Sequence, residues 1–188
     1  MHILIPRRQA VIGAAAALSL LPLREAVAQT SARGGDWLAM VKAHHALVAK
    51  TFDAMLASGN TLFERRRRMQ RTLAYQLTAH SVAEENVIYP ALATAGLVSE
   101  SDKLYLDQAH TKVMNAQLEL SSLNEQGPWM EKVRVLQAAV LKHAKEDEEG
   151  TIFPKLHQQL DAQKNAVLTA AYAREFASVK PRPDAAAA

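Results

Sequence analysis

Apolar positions in this chain recur at alternating steps of three and four, the period of a helix with one buried face, and no stretch shows the step of two that a half-buried strand needs. Leu38, Val41, Val48, Phe52 and Met55 form the first stripe, with His45 in register among them. Gly59 and Asn60 close it, and Thr61-Leu62-Phe63-Glu64 has the capping-box form that opens a second helix. That helix carries Met69, Leu73, Leu77, His80, Glu84 and Val87 on one face, runs into Pro90 and stops at Gly96. A third is predicted from about Asp102 to Glu125, with Leu106, His110, Val113, Leu120 and Leu123 turned inward. Gly127-Pro128 breaks it and starts a fourth, striped by Trp129, Val133, Leu136, Val140 and His143.

Short connections make consecutive helices antiparallel neighbours. The expected fold class is therefore all-α, an up-down-up-down antiparallel four-helix bundle over residues 36–160. Residues 161–188 are read as an extra C-terminal helix, Ala166 to Val179, lying on the outside and followed by a frayed tail.

The beginning of the chain changes the picture of its location. Met1 to Ala28 reads as an export signal: Arg7 and Arg8, an apolar run from Ala10 to Leu21 too short for a stable anchor, and the small-x-small cleavage site Ala26-Val27-Ala28. The arginine pair resembles a twin-arginine signal, although the phenylalanine and lysine usual in such signals are missing, so the general secretory route stays open. Residues 29–35 then form a linker, and the expected location is periplasmic or secreted, with no stable membrane anchor after cleavage. The formal charge of +3 falls towards neutrality once that basic segment is set aside, so no polyanionic partner is demanded. The chain has no cysteine, which excludes thiolate zinc sites, iron–sulfur clusters and covalently attached haem.

The candidate chemistry lies on the stripes themselves. Each of the four helices places one histidine inward, at His45, His80, His110 and His143, and two of them add an acid about one turn later. A one-turn spacing sets imidazole and carboxylate side by side on one face, as in His80-x-x-x-Glu84. Such groups are costly in an apolar core unless a cation offsets their desolvation. The chain also looks duplicated, since His80 through Tyr89-Pro90-Ala91-Leu92 parallels His143 through Phe153-Pro154-Lys155-Leu156, each with a histidine on the preceding helix.

Blander readings apply elsewhere. His44 points about 100° away from His45 and is expected at an exposed edge. His157 lies beyond the centre, and Glu149 is expected to be solvated. Arg65 to Arg68 with Arg71 are read as a solvated helix face, with no nucleic-acid partner. Tyr75, Tyr89, Tyr105 and Trp129 are mostly core packing; Tyr89, five residues after Glu84, is the most interesting of them.

Taken in order, His45, His80-x-x-x-Glu84-Glu85, His110 and His143 followed by an acid resemble the hemerythrin family in its HHE cation-binding form, over about Trp37 to Leu160. The resemblance implies two non-haem iron ions, bridged by carboxylates and oxo or hydroxo, with His45, His80, His110 and His143 as terminal ligands and Glu84 plus an acid after His143 as bridges. Two departures stand out. Oxygen-carrying hemerythrins have two histidines one turn apart on the third helix, where this chain has one, leaving the second iron to be completed by water, Asp107 or His44. The fourth helix also has one residue more between histidine and proline, so Asp147 sits at +4 from His143 while Glu148 matches Glu84 counted back from proline. Glu148 is preferred, brought round by a one-residue π-bulge beside Gly150, with Asp147 the close alternative.

The implied function is to bind or sense a small oxidant such as dioxygen, peroxide or nitric oxide, or to hold iron. The alternatives are a di-iron redox enzyme of peroxidase, nitric oxide reductase or ferroxidase type, and a bundle holding a single metal.

Overall fold

The computed structural model describes residues 35–59 and 63–181. The export signal, most of the 29–35 linker, Thr61 and Leu62 of the capping box and residues 182–188 of the tail lie outside these described residues. Among them the chain is all-helical and contains no strand. Seven α-helices follow in order: α1 (Trp37–Leu56), α2 (Phe63–Ala83), α3 (Tyr89–Thr94), α4 (Val98–Glu119), α5 (Gln126–Lys142), α6 (Phe153–Gln159) and α7 (Ala162–Ser178). They pack into a helical bundle in which α1 lies against α2, α5 and α7, and α4 against α3 and α5. None of the described helices is long and apolar enough to cross a membrane.

Local chemistry sets the helix ends. Asp36 caps α1 by accepting the Ala39 amide at 3.1 Å, and Asp161 caps α7 by accepting that of Lys164 at 2.8 Å. After α3 the chain reverses through Gly96, whose φ of +84° suits glycine, and the Leu97 amide returns to the Leu92 carbonyl at 2.9 Å.

Two stretches are wound as π-helix, Glu84–Ile88 between α2 and α3 and His143–Ile152 between α5 and α6. Each ends just before a proline. Pro90 and Pro154 lack an amide hydrogen, and their rings press on the carbonyl four residues back. The helix relieves this by widening: the Tyr89 amide bonds the Glu84 carbonyl, and the Phe153 amide that of Glu148, both five residues back. The bulge expected near Gly150 is therefore present, and its counterpart after Glu84 is an element the periodicity alone did not reveal.

The core falls into two apolar clusters. Trp37, Val41, Ala79, Tyr89, Phe153, Leu156 and Tyr172 belong to one; Val48, Phe52, Leu73, Trp129, Leu136 and Val140 belong to the other. Along α1 the switch falls between Val41 and Val48, along α2 between Leu73 and Ala79, and at the end of α5 after Val140. His45, His80 and His143 lie at or beside these switches, so a polar layer separates two hydrophobic ones.

Three expectations need correction. Helix α4 spans Val98–Glu119, not Asp102 to Glu125, and it is turned so that Ser101, Leu104, Gln108 and Leu118 face inward while Leu106, Val113 and Leu120 are exposed. Its rotation is fixed by side chains: Ser101 Oγ donates to the Tyr89 carbonyl at 2.9 Å and Tyr105 Oη to the Glu85 carbonyl at 2.7 Å. Helix α7 is no outer ornament, because Tyr172 and Phe176 are buried in the first cluster. Within the arginine run, Arg65 and Arg68 are exposed but Arg66 is buried, donating from Nε to the Leu123 carbonyl at 3.0 Å.

Candidate metal centre

Three imidazoles from three elements turn Nε2 into the polar layer. His45 Nε2 and His80 Nε2 face each other at 3.0 Å. Two fully buried carboxylates join them: Glu84 Oε2 lies 2.9 Å from His80 Nε2, and Glu148 lies 3.1 Å from His45 Nε2 and 3.2 Å from His143 Nε2. His45, His80, Glu84 and Glu148 each offer a donor atom within 4.8 Å of the others. The π-turns produce this convergence. Glu84 and Glu148 each open a widened turn at the same distance before proline, and both point at the imidazoles.

Outward, each Nδ1 faces a different partner. Glu149 Oε1 lies 2.7 Å from His45 Nδ1, and the same oxygen takes a hydrogen bond from Lys145 Nζ at 2.6 Å. Tyr172 Oη lies 3.4 Å from His80 Nδ1, and Asp107 Oδ2 lies 3.6 Å from His143 Nδ1, beyond hydrogen-bond reach. An outward partner of this kind holds the tautomer that leaves Nε2 free as a ligand. Glu149 is therefore paired with His45 and Lys145, not solvated. Its signal in the sequence is faint: it follows Lys145 by four residues and adjoins Glu148.

His44 is also corrected. It is buried, stacked on Phe176 with ring centroids 3.8 Å apart, and its Nδ1 lies 2.9 Å from Tyr172 Oη. His157 stands apart as expected, bonded to Asp36 at 2.5 Å.

The structure does not bring His110 to the centre. It is exposed on the outer side of α4, because the rotation that buries Gln108 carries a residue two positions on to the opposite face. Gln108 occupies the inward position and donates from Nε2 at 2.6 Å to both Glu84 Oε2 and Tyr89 Oη. Asp147 sits with Asp107 and His143 in a second group of potential ligands, where Lys103 Nζ contacts both aspartates at 2.6 and 2.8 Å. Of the two alternative acids, Glu148 is the one grouped with His45, His80 and Glu84.

Electrostatics make the cluster expensive without a cation. Burial opposes charge on His45, but Glu148, Glu149 and Glu84 outweigh it and raise its pKa to about 9. Burial and then the charge of His45 push His80 down to about 3. Glu84 is driven well above the usual carboxyl range by burial and by Glu148, whereas Glu148 overcomes burial through His143 and His45 and is held below it. Glu148 Oε2, 3.1 Å from His45 Nε2, and Glu84 Oε1, 3.9 Å from it, are buried and accept no hydrogen bond. Buried carboxylate oxygens that face inward imidazole nitrogens and accept no hydrogen bond fit a bound cation.

These shifts set a pH dependence for chelator-treated protein. Burial, then the charges of His80 and His45, lower His44 from 6.5 to about 3, so an unfolded chain takes up a proton that the folded one refuses, and stability falls as pH drops from about 6.5 towards 3. His45 acts oppositely: its contribution is complete below 6.5 and is lost as pH rises through about 9. His80, also held near 3, adds to the same acid limb, so thermal midpoints should peak near neutrality and His44→Phe should make that limb shallower without abolishing it. Identical limbs in the two proteins would discount His44.

Beside the centre a cavity of about 20 Å³ is lined by His45, His80, Gln108, His143, Leu77 and Val140, among others. That is room for about one water-sized molecule.

Comparison with known proteins agrees with this geometry. The family described as "Hemerythrin HHE cation binding domain" matches residues 37–156, from the first turn of α1 into α6. A protein of Nostoc sp. (strain PCC 7120 / SAG 25.82 / UTEX 2576) named "DNA nickase" is 29% identical over 107 residues, which cover 56% of this chain and 28% of that protein. The chain thus spans less than a third of that relative's length. No solved structure matches.

Proposed function

We infer, because this chain belongs to the hemerythrin HHE cation binding domain family, that its polar layer holds two non-haem irons and that the protein binds or senses a small oxidant. The carrying observation is that the Nε2 atoms of His45, His80 and His143 face two fully buried carboxylates, each with one oxygen that accepts no hydrogen bond. His45 and His80 would serve one iron and His143 the other, with Glu84 and Glu148 between them; α1, α2, α4 and α5 are taken as up-down-up-down neighbours around the pair.

When bound, the iron pair supplies reversible one-electron chemistry and an open position for a small ligand. The chain does the rest. Glu149 and Tyr172 hold His45 and His80 in register, Gln108 donates to the inward carboxylate of Glu84, and the apolar clusters on either side exclude bulk water. The cavity size favours dioxygen, peroxide or nitric oxide over any larger substrate. We extend the reading to an exported, periplasmic or secreted protein. The nicking activity named for the cyanobacterial relative is not carried over, given the small share of that protein matched.

Metal analysis with optical spectra of anaerobic and oxygen-exposed protein tests this. Two irons per chain and a spectrum that returns to its starting form once oxygen is removed are expected. Sustained consumption of peroxide would favour the redox-enzyme alternative, and a single metal per chain would end the di-iron reading.

A further inference from the structure

His110 faces solvent, so the half of the centre around His143 lacks the imidazole that a third-helix histidine would supply. Tyr89 is buried there, at the end of the π-turn that Glu84 opens. Its Oη lies 2.8 Å from Glu148 Oε1, 3.2 Å from His143 Nε2 and 3.4 Å from Glu84 Oε2. Three atoms that can accept a hydrogen bond thus converge on a hydroxyl that has one proton to give. Gln108 Nε2 meanwhile donates into the same oxygen at 2.6 Å, from the helix position that His110 does not reach.

The separations are those of donors sharing one ion: two ligands about 2.1 Å from a metal and at right angles to each other lie about 3 Å apart. A hydroxyl acting only as a hydrogen-bond donor would need one of these neighbours, whereas a ligand oxygen would stand at this distance from all of them.

We propose that Tyr89 is a metal ligand, its phenolate oxygen binding the second iron beside His143, Glu84 and Glu148 in place of the absent third-helix histidine. On binding, the O–H bond is exchanged for an oxygen–metal bond and the proton leaves to solvent. The Gln108 amide, donating into the oxygen, favours the phenolate once formed. This assignment rests on the di-iron reading.

The test uses the full chain, loaded with ferrous iron without oxygen and then oxidised in air. Two irons per chain are expected, with a visible phenolate-to-ferric charge-transfer band whose resonance Raman ring modes shift when the protein carries ring-deuterated tyrosine. That measurement needs no variant. Tyr89→Phe should lose the band and fall to one iron, whereas Tyr75→Phe, at the edge of the first apolar cluster, should retain both. Two irons with no tyrosine modes, or two irons in Tyr89→Phe, would overturn the assignment and leave the di-iron reading standing. One iron or none in the unaltered chain would end both.

Discussion

Glu148→Gln should strip iron from the protein while leaving its helix content intact. The substitution keeps the side-chain volume at a position with no exposure, so the packing around it has little reason to change. What it removes is the charge within 3.1 Å of His45 Nε2 and 3.2 Å of His143 Nε2, the contact linking the two halves of the centre. Loss of an outer partner of a metal ligand costs about 10–100-fold in affinity, and loss of the carboxylate proposed to bridge the irons should exceed about 100-fold. Asp147→Asn supplies the contrast. Asp147 is half-buried and paired with Lys103, so the change should lower iron affinity by less than about tenfold. Iron titration with circular dichroism of both variants decides the matter: a metal-free Asp147→Asn beside a loaded Glu148→Gln would assign the bridge to the wrong acid.

Gly150→Ala should damage the centre from a distance. Gly150 lies within the His143–Ile152 π-stretch, and a β-carbon added there would stand 2.9 Å from the Lys145 carbonyl oxygen, a backbone atom that cannot swing away. Relief requires the widened turn to open or shift. Because that turn aims Glu148 inward, the strain reaches the ligand set. Overpacking of this kind costs about 1–3 kcal/mol, and iron affinity should fall alongside the thermal midpoint. Gly127→Ala is the matched control, since a β-carbon at that exposed helical site meets nothing within 4 Å, and the exchange should be neutral or stabilising by up to about 1 kcal/mol. Equal effects of the two changes would remove the case for the π-turn as the device that positions Glu148.

Tyr172 shows how far the centre extends beyond the matched segment. Residues 37–156 contain every proposed ligand, yet Tyr172 on α7 is the residue placed between His80 and His44. The apolar spacing of Ala166 to Val179 was enough to anticipate a helix, but not that its aromatic face would enter the core.

Legible along the chain were the helical class, the stop at Gly96, and His45, His80, Glu84 and Glu148 as side chains that come together, because period, capping and proline act over one or two turns of a single helix. Tertiary structure alone decided the rotation of α4, and with it the exclusion of His110 in favour of Gln108 and Tyr89. Two stripes were available on that helix, one holding Leu106, His110 and Val113 and the other Leu104 and Gln108. Periodicity cannot choose between them. The choice was made by Ser101 and Tyr105 bonding to backbone carbonyls around the first π-turn, contacts between residues 12 and 20 positions apart that exist only once the helices have met.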